Sequence, residues 1–220
     1  MHKVKKSRAH KIIVLLLLSV ILLLSAIACS LSLRLYNRSN PDLAGHWQME
    51  LKLTDSACAG AELWLSGARL SDRVEIRDHM PVLSVLVDLR LNKDGSWSRS
   101  VDKASLDEAE RRAESALHDT LRELARVRVV DAGRPAGTDA ELDARLADAA
   151  GMPLDEYLAG YGPRLLPALD ELKARYDGSG SYQPEGVHLH FSGMDDARFL
   201  ADDALLVLEF VDRTEVYRRA

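Results

Sequence analysis

Residues Val82–Val101 read VLSVLVDLRLNKDGSWSRSV. Val85, Val87, Leu89 and Leu91 fall on one face of an extended chain, and Asp88 and Arg90 fall on the other. A two-residue side-chain period is what a half-buried strand requires. Asn92-Lys93-Asp94-Gly95 supplies the turn, with Gly95 free to take a positive φ. On the return, Trp97, Arg99 and Val101 alternate with Ser96, Ser98 and Ser100. The stretch is therefore a β-hairpin. Upstream, Gly45–Leu53 repeats the pattern, with Trp47, Met49, Leu51 and Leu53 on one face and His46, Gln48, Glu50 and Lys52 on the other.

Downstream the period changes to that of a helix. Ser105-Leu106-Asp107-Glu108 has the form of a capping box. Leu106, Ala109, Ala113, Leu117, Leu121 and Leu124 follow at helical spacing to about Arg126. Asp131–Gly137 reads as a loop. Thr138-Asp139-Ala140-Glu141 is a second capping box, opening a short helix that Gly151 ends. Pro153 suits the first turn of a third helix, which Gly162, Pro163 and Pro167 kink or break. Strands resume at Gly180. Gln183-Pro184-Glu185-Gly186 reads as a turn, Val187, Leu189 and Phe191 share a face, Leu205–Val211 is apolar and strand-like, and Glu215–Arg218 returns. Thr54–Pro81 is less legible: Ala57–Trp64 fits a short helix or an irregular crossing, and Val74–Arg77 fits a strand. The expected fold class is α+β, a small antiparallel β-barrel or meander of six to eight strands, interrupted by an inserted helical hairpin over residues 103–177.

Before this body lies Ile12–Leu33, 22 residues without a charge, preceded by five Lys/Arg. About 20 such residues in a helix span the hydrocarbon core of a bilayer. The positive-inside bias places residues 1–11 as a cytoplasmic basic tail, 12–33 as a transmembrane signal-anchor, 34–42 as a linker containing Pro41, and 43–220 as the extracytoplasmic domain. Two other readings stay open. Ala26-Ile27-Ala28 is an A-x-A cleavage pattern, and with Cys29 it loosely resembles a bacterial lipobox, which makes Cys29 a candidate lipidation site. Apolar residues continue past Cys29 to Leu33, which favours an uncleaved helix. All three readings put the folded domain on the same side of the membrane.

The chain has 220 residues and a net charge of −5, but residues 1–40 hold seven Lys/Arg and no acid, so the remainder carries 22 basic against 34 acidic side chains. An acidic body argues against nucleic acid as a partner. The high ratio of Arg to Lys and the abundance of Ala suggest a GC-rich bacterium. Two cysteines, Cys29 and Cys58, without a CxxC spacing, disfavour thiol redox chemistry and a Cys-rich zinc site; Cys58 reads as a small buried residue.

Leu43-Ala44-Gly45-His46-Trp47 resembles the G-x-W opening of lipocalin-like β-meander domains. Gly180-Ser181-Tyr182-Gln183, Val187–Phe191, Leu205–Phe210 and Glu215–Arg219 are similar to their closing strands. Gly151-Met152-Pro153-Leu154-Asp155-Glu156-Tyr157 resembles a segment of uncharacterised bacterial envelope proteins that carry a helical insertion. The likeness covers most of residues 43–219. It implies a small antiparallel barrel and brings no catalytic residues. The broader lipocalin-like group often binds apolar small molecules, an activity that fold alone does not confer.

Candidate sites are few. His188-x-His190 places two imidazoles on one strand face, a two-point metal grip that needs a further ligand; His46 or Glu50 could provide it only if their strand were a neighbour. The alternative is two solvent-facing histidines, and no metal or other cofactor is expected. Asp195-Asp196 and Asp202-Asp203 read as an acidic solvated loop, lacking the EF-hand spacing. Trp47, Trp97, Tyr157 and Tyr161 are the candidate ligand contacts; core packing is the alternative for the tryptophans, a buried helix face for the tyrosines. There is no G-x-S-x-G elbow, P-loop or G-x-G-x-x-G. The expected function is a membrane-tethered binding domain for an apolar small molecule or an envelope protein, or else an accessory subunit of an envelope complex without a small-molecule ligand; no catalytic residue is assigned.

Overall fold

The computed structural model of the chain describes residues 3–39, 42–67 and 74–220, with side chains of the first helix described over 14–32. Helix α1 covers Lys3–Ser39. Strand β1 is Gly45–Lys52, α2 is Thr54–Gly67, and β2 and β3 are Ser84–Leu91 and Ser96–Val101. Four helices follow: α3 Lys103–Asp131, α4 Asp139–Ala150, α5 Leu154–Tyr161 and α6 Leu169–Tyr176. Strands β4 Gly178–Glu185, β5 His188–Phe191, β6 Ala197–Ala201, β7 Leu205–Glu209 and β8 Thr214–Arg219 complete the chain. The eight strands run in sequence order and close into a barrel. The insert is four helices rather than a hairpin of two, because Gly151, Gly162 and the prolines after it each stop a helix.

The central hairpin forms as its residues dictate. Gly95 takes φ of +80°, and the Asp94 carboxylate accepts from the Ser96 N–H at 2.9 Å and the Ser96 hydroxyl at 2.6 Å. Those bonds hold the Asp94 carboxyl below the usual carboxylate range. Every strand except β4 buries alternate residues.

Two compact units divide the chain: the described residues of Met1–Trp47 with Arg90–Trp97 and Ser179–Ala220, and Gln48–Leu89 with Ser98–Gly178. In the first, Trp47, Leu189, Leu206, Leu208 and Tyr217 are wholly buried. The Trp47 indole N–H donates to the Leu43 carbonyl at 2.9 Å, and the Arg219 guanidinium lies 4.7 Å from its ring. The Ala220 N–H donates to the His46 carbonyl at 2.9 Å, joining the end of the chain to β1. In the second unit, Val85, Val87 and Leu89 of β2 are buried, as are Ala57, Cys58, Ala61 and Leu65 along one stripe of α2. Burial pushes the Cys58 thiol pKa up. Arg99 is buried too, its Nε donating to the Tyr176 carbonyl at 2.5 Å and its Nη2 to the Arg175 carbonyl at 3.3 Å. A cation on the last carbonyls of α6 meets the negative end of the helix dipole.

Several local expectations are corrected. Asp102, not Ser105, caps α3, its carboxylate accepting from the Ala104 and Ser105 N–H groups; Ser105 instead donates to the Asp102 carbonyl. The helix also runs on to Asp131. Ile76–Asp78 is a 3-10 turn, not a strand. Pro184 lies within β4 opposite Leu189, and the turn falls later, where Gly186 takes φ of +63°. The acidic loop contains a strand, β6, between its two pairs of acids. Strand β7 stops at Glu209, leaving Val211 fully exposed. Pro41 of the expected linker lies outside the described residues, and α1 continues through the linker's first part to Ser39.

Candidate functional site

A recess lies within the helical insert, a cleft of about 460 Å³ between α3 and α5. α3 buries the stripe Leu106, Ala109, Ala113, Ala116, Leu117, Thr120, Leu121 and Leu124. The adjacent stripe, Arg111, Ser115, His118 and Arg122 at helical spacing, faces the cleft. α5 contributes Asp155, Leu158 and Ala159, and Gly162, Pro163 and Leu165 continue the wall. The Gly162 N–H bonds the Leu158 carbonyl at 2.8 Å, and a Cβ at this position would run into that same carbonyl oxygen. Only glycine lets the chain leave α5 at this rim.

Charges around the cleft are tied to one another. Arg122 forks onto Asp143 of α4, Nε to Oδ1 at 2.6 Å and Nη2 to Oδ2 at 2.7 Å, and reaches Asp119 at 3.0 Å. The fork holds the Asp143 carboxyl below its ordinary range and raises the Arg122 pKa. His118, only 17% accessible, places Nε2 at 3.7 Å from Asp155 Oδ1. The result is an apolar floor of Leu117, Leu158 and Leu165 under a polar rim, an arrangement suited to taking an apolar anchor surrounded by hydrogen-bonding groups.

The sequence-derived residues are distributed otherwise. Tyr157 and Tyr161 stand together, ring centroids 5.4 Å apart, on a face of α5 beside the one lining the cleft. Trp47 is wholly buried; Trp97 is 2% exposed and meets Phe191 edge-on at 5.6 Å, its indole N–H donating to the Ser192 carbonyl at 3.2 Å. Cys29 is exposed along α1, within the stretch Val14–Ser32 that is long and apolar enough to cross a membrane.

His188 and His190 share the outward face of β5, rings 6.3 Å apart. The strand order puts β5 between β4 and β6, so β1 is no neighbour and neither His46 nor Glu50 completes a site. The carboxylates that do approach are Asp196, with Oδ2 at 2.8 Å from His190 Nδ1, and Glu185, at 3.5 Å from Nε2. Asp196 Oδ1 also accepts from the Phe191 N–H at 3.0 Å. The Asp196 hydrogen bond raises the His190 pKa, and the same bond lowers that of Asp196. Among the described residues no group of three or more His, Cys, Asp or Glu side chains is arranged to hold a metal ion.

Sequence reasoning missed the cleft itself. His118, Arg122 and Asp155 lie 37 residues apart at most, and nothing in their local spacing signals that α3 and α5 face one another. The i, i+4, i+7, i+11 repeat of Arg111, Ser115, His118 and Arg122 is the signal that could have marked one wall. No protein-family model matches the chain, and neither the curated proteins nor the solved structures contain a significant match to it.

Proposed function

We propose that the protein is a membrane-tethered, extracytoplasmic binding module, and that its partner is another envelope protein engaged through the insert cleft. The apolar floor and paired-charge rim of the α3–α5 cleft carry this reading. Inward side chains of the strands support it as well. In the first unit Trp47, Leu206, Leu208 and Tyr217, and in the second Val85, Val87 and Leu89, are wholly buried, and close packing around these side chains counts against an apolar small molecule bound to them. Trp47, in the Gly45-His46-Trp47 opening, is a buried indole whose N–H is taken by the Leu43 carbonyl.

A photo-crosslinking residue at Ala159 of the membrane-bound protein tests the reading. One discrete protein adduct, lost on Leu158→Asp, is the expected result. A native mass spectrum of the detergent-extracted protein showing a retained apolar compound, with no protein adduct, would replace the partner by a small molecule.

A further inference from the structure

The outward face of β6–β8 carries an apolar row. Leu200 of β6 stands opposite Val207 of β7, and Val207 opposite Val216 of β8. Leu200 is 41% and Val216 46% exposed. Single exposed apolar residues need no explanation; three in register across three strands form a strip. The next rung on one side pairs Leu205 with Arg218, and the rung on the other side is Arg198, Glu209 and Thr214. Arg198 and Glu209 pair at 3.3 Å.

The tether runs into this same side of the barrel. Arg219 donates from Nη2 to the Asp42 carbonyl at 3.2 Å, and its N–H donates to the Ala204 carbonyl at 2.9 Å. The segment leading into β1 is thereby fixed beside the β6–β7 turn and the end of β8. α1 comes within 8 Å of β6 between Cα atoms. The span Val14–Ser32 is itself unburied. From Ser32 to Ser39 the helix rises only about 10 Å, and residues 40–44 alone separate it from β1. With α1 crossing a bilayer, so short a connection keeps the β6–β7 turn and the end of β8 close to its surface.

We infer that this face rests on the bilayer surface, with Leu200, Val207 and Val216 in the interface and Arg218 at the phosphates of anionic phospholipids. Arginine side chains near such a surface are drawn to its negative potential, and interfacial binding combines buried apolar area with that attraction. The inference rests on α1 crossing the membrane.

Its test uses the full chain with Cys29→Ser in nanodiscs of phosphatidylcholine and phosphatidylglycerol. Cys58 is buried and stays. Leu200→Cys and Val216→Cys carry an environment-sensitive fluorophore. Gln183→Cys is the control on β4, four strands from β8 in the closed order. The expected result is blue-shifted emission at 200 and 216, quenched by lipid-borne nitroxide more than by aqueous iodide, with water-like emission at 183. Arg218→Glu should reverse the shift, as should discs of phosphatidylcholine alone. Water-like emission at all three positions in inserted protein would overturn the inference. So would a blue shift that appears only in discs holding two copies, which would assign the strip to a second chain. Protein that elutes free of discs would remove the membrane span itself, and with it the inference.

Discussion

His190 holds its imidazole between two carboxylates at the surface, and it and Asp196 shift each other's titration. Asp196 raises the His190 pKa above the ordinary 6.5, while His190 lowers Asp196 below 3.8. Because the histidine pKa is raised on folding, its share of the pairing is complete below about 6.5 and is lost as pH rises through the folded value. Because the aspartate pKa is lowered, its share is present above the ordinary carboxylate value and is lost as pH falls through the folded one. The ion pair therefore spans the interval between the two folded values, at mildly acidic to near-neutral pH. In Asp196→Asn the His190 titration, followed by the NMR shift of its Cε1 proton, is expected to move down toward 6.5. An unchanged midpoint would mean that Asp196 does not set it. The sequence showed the two histidines on one outward face. Asp196 read only as part of an acidic loop, because it reaches His190 through the turn before β6, five residues beyond Phe191, whose N–H it also accepts.

Helix starts were partly legible. At α4 the box is as the sequence has it: Thr138 accepts from the Glu141 N–H at 3.3 Å, and Glu141 Oε2 accepts from the Thr138 N–H at 2.8 Å. At α3 two caps three residues apart competed, and the earlier one, Asp102, took the position because β3 ends at Val101 and delivers it there. Ser105 is then the third helical residue. Thr138→Ala and Asp102→Ala are each expected to lower stability by about 0.5–2 kcal/mol, and Ser105→Ala by less than Asp102→Ala. Urea unfolding followed by circular dichroism checks the order; a larger effect at Ser105 would return the cap to it. Strand β6 was the harder element. Ala197-Arg198-Phe199-Leu200-Ala201 offers a single large inward residue, Phe199, and the acids on either side dominate its composition. Its pairing with β7 over four residue pairs makes it a strand, a tertiary effect that no local pattern carries. Pro184 misled for a related reason. It signals a turn, yet it sits on β4, a strand that buries none of its residues.

At the scale of the whole chain, the issue is what α1 becomes in the cell. Its 37 residues form one continuous helix from Lys3 to Ser39, about 55 Å at 1.5 Å per residue, longer than the hydrocarbon core needs. Cleavage before Cys29 would cut this helix near its last third and leave residues 29–39 as a short helix followed directly by the barrel. An acylated Cys29 would then have to anchor the protein through a segment whose apolar run, Leu31 and Leu33 among it, has no reason to remain apolar once the acyl chains hold the membrane. An uncleaved span uses those residues: they complete the roughly 20 apolar positions that a crossing requires. Protein extracted from its native membrane is accordingly expected to keep residues 1–28 and an unmodified Cys29, read by mass spectrometry of its peptides, and Cys29→Ser to differ only by one sulfur changed to oxygen. A mass lacking residues 1–28, with an added diacylglyceryl group that Cys29→Ser abolishes, would establish the lipid anchor instead and shorten the rigid tether beside β6.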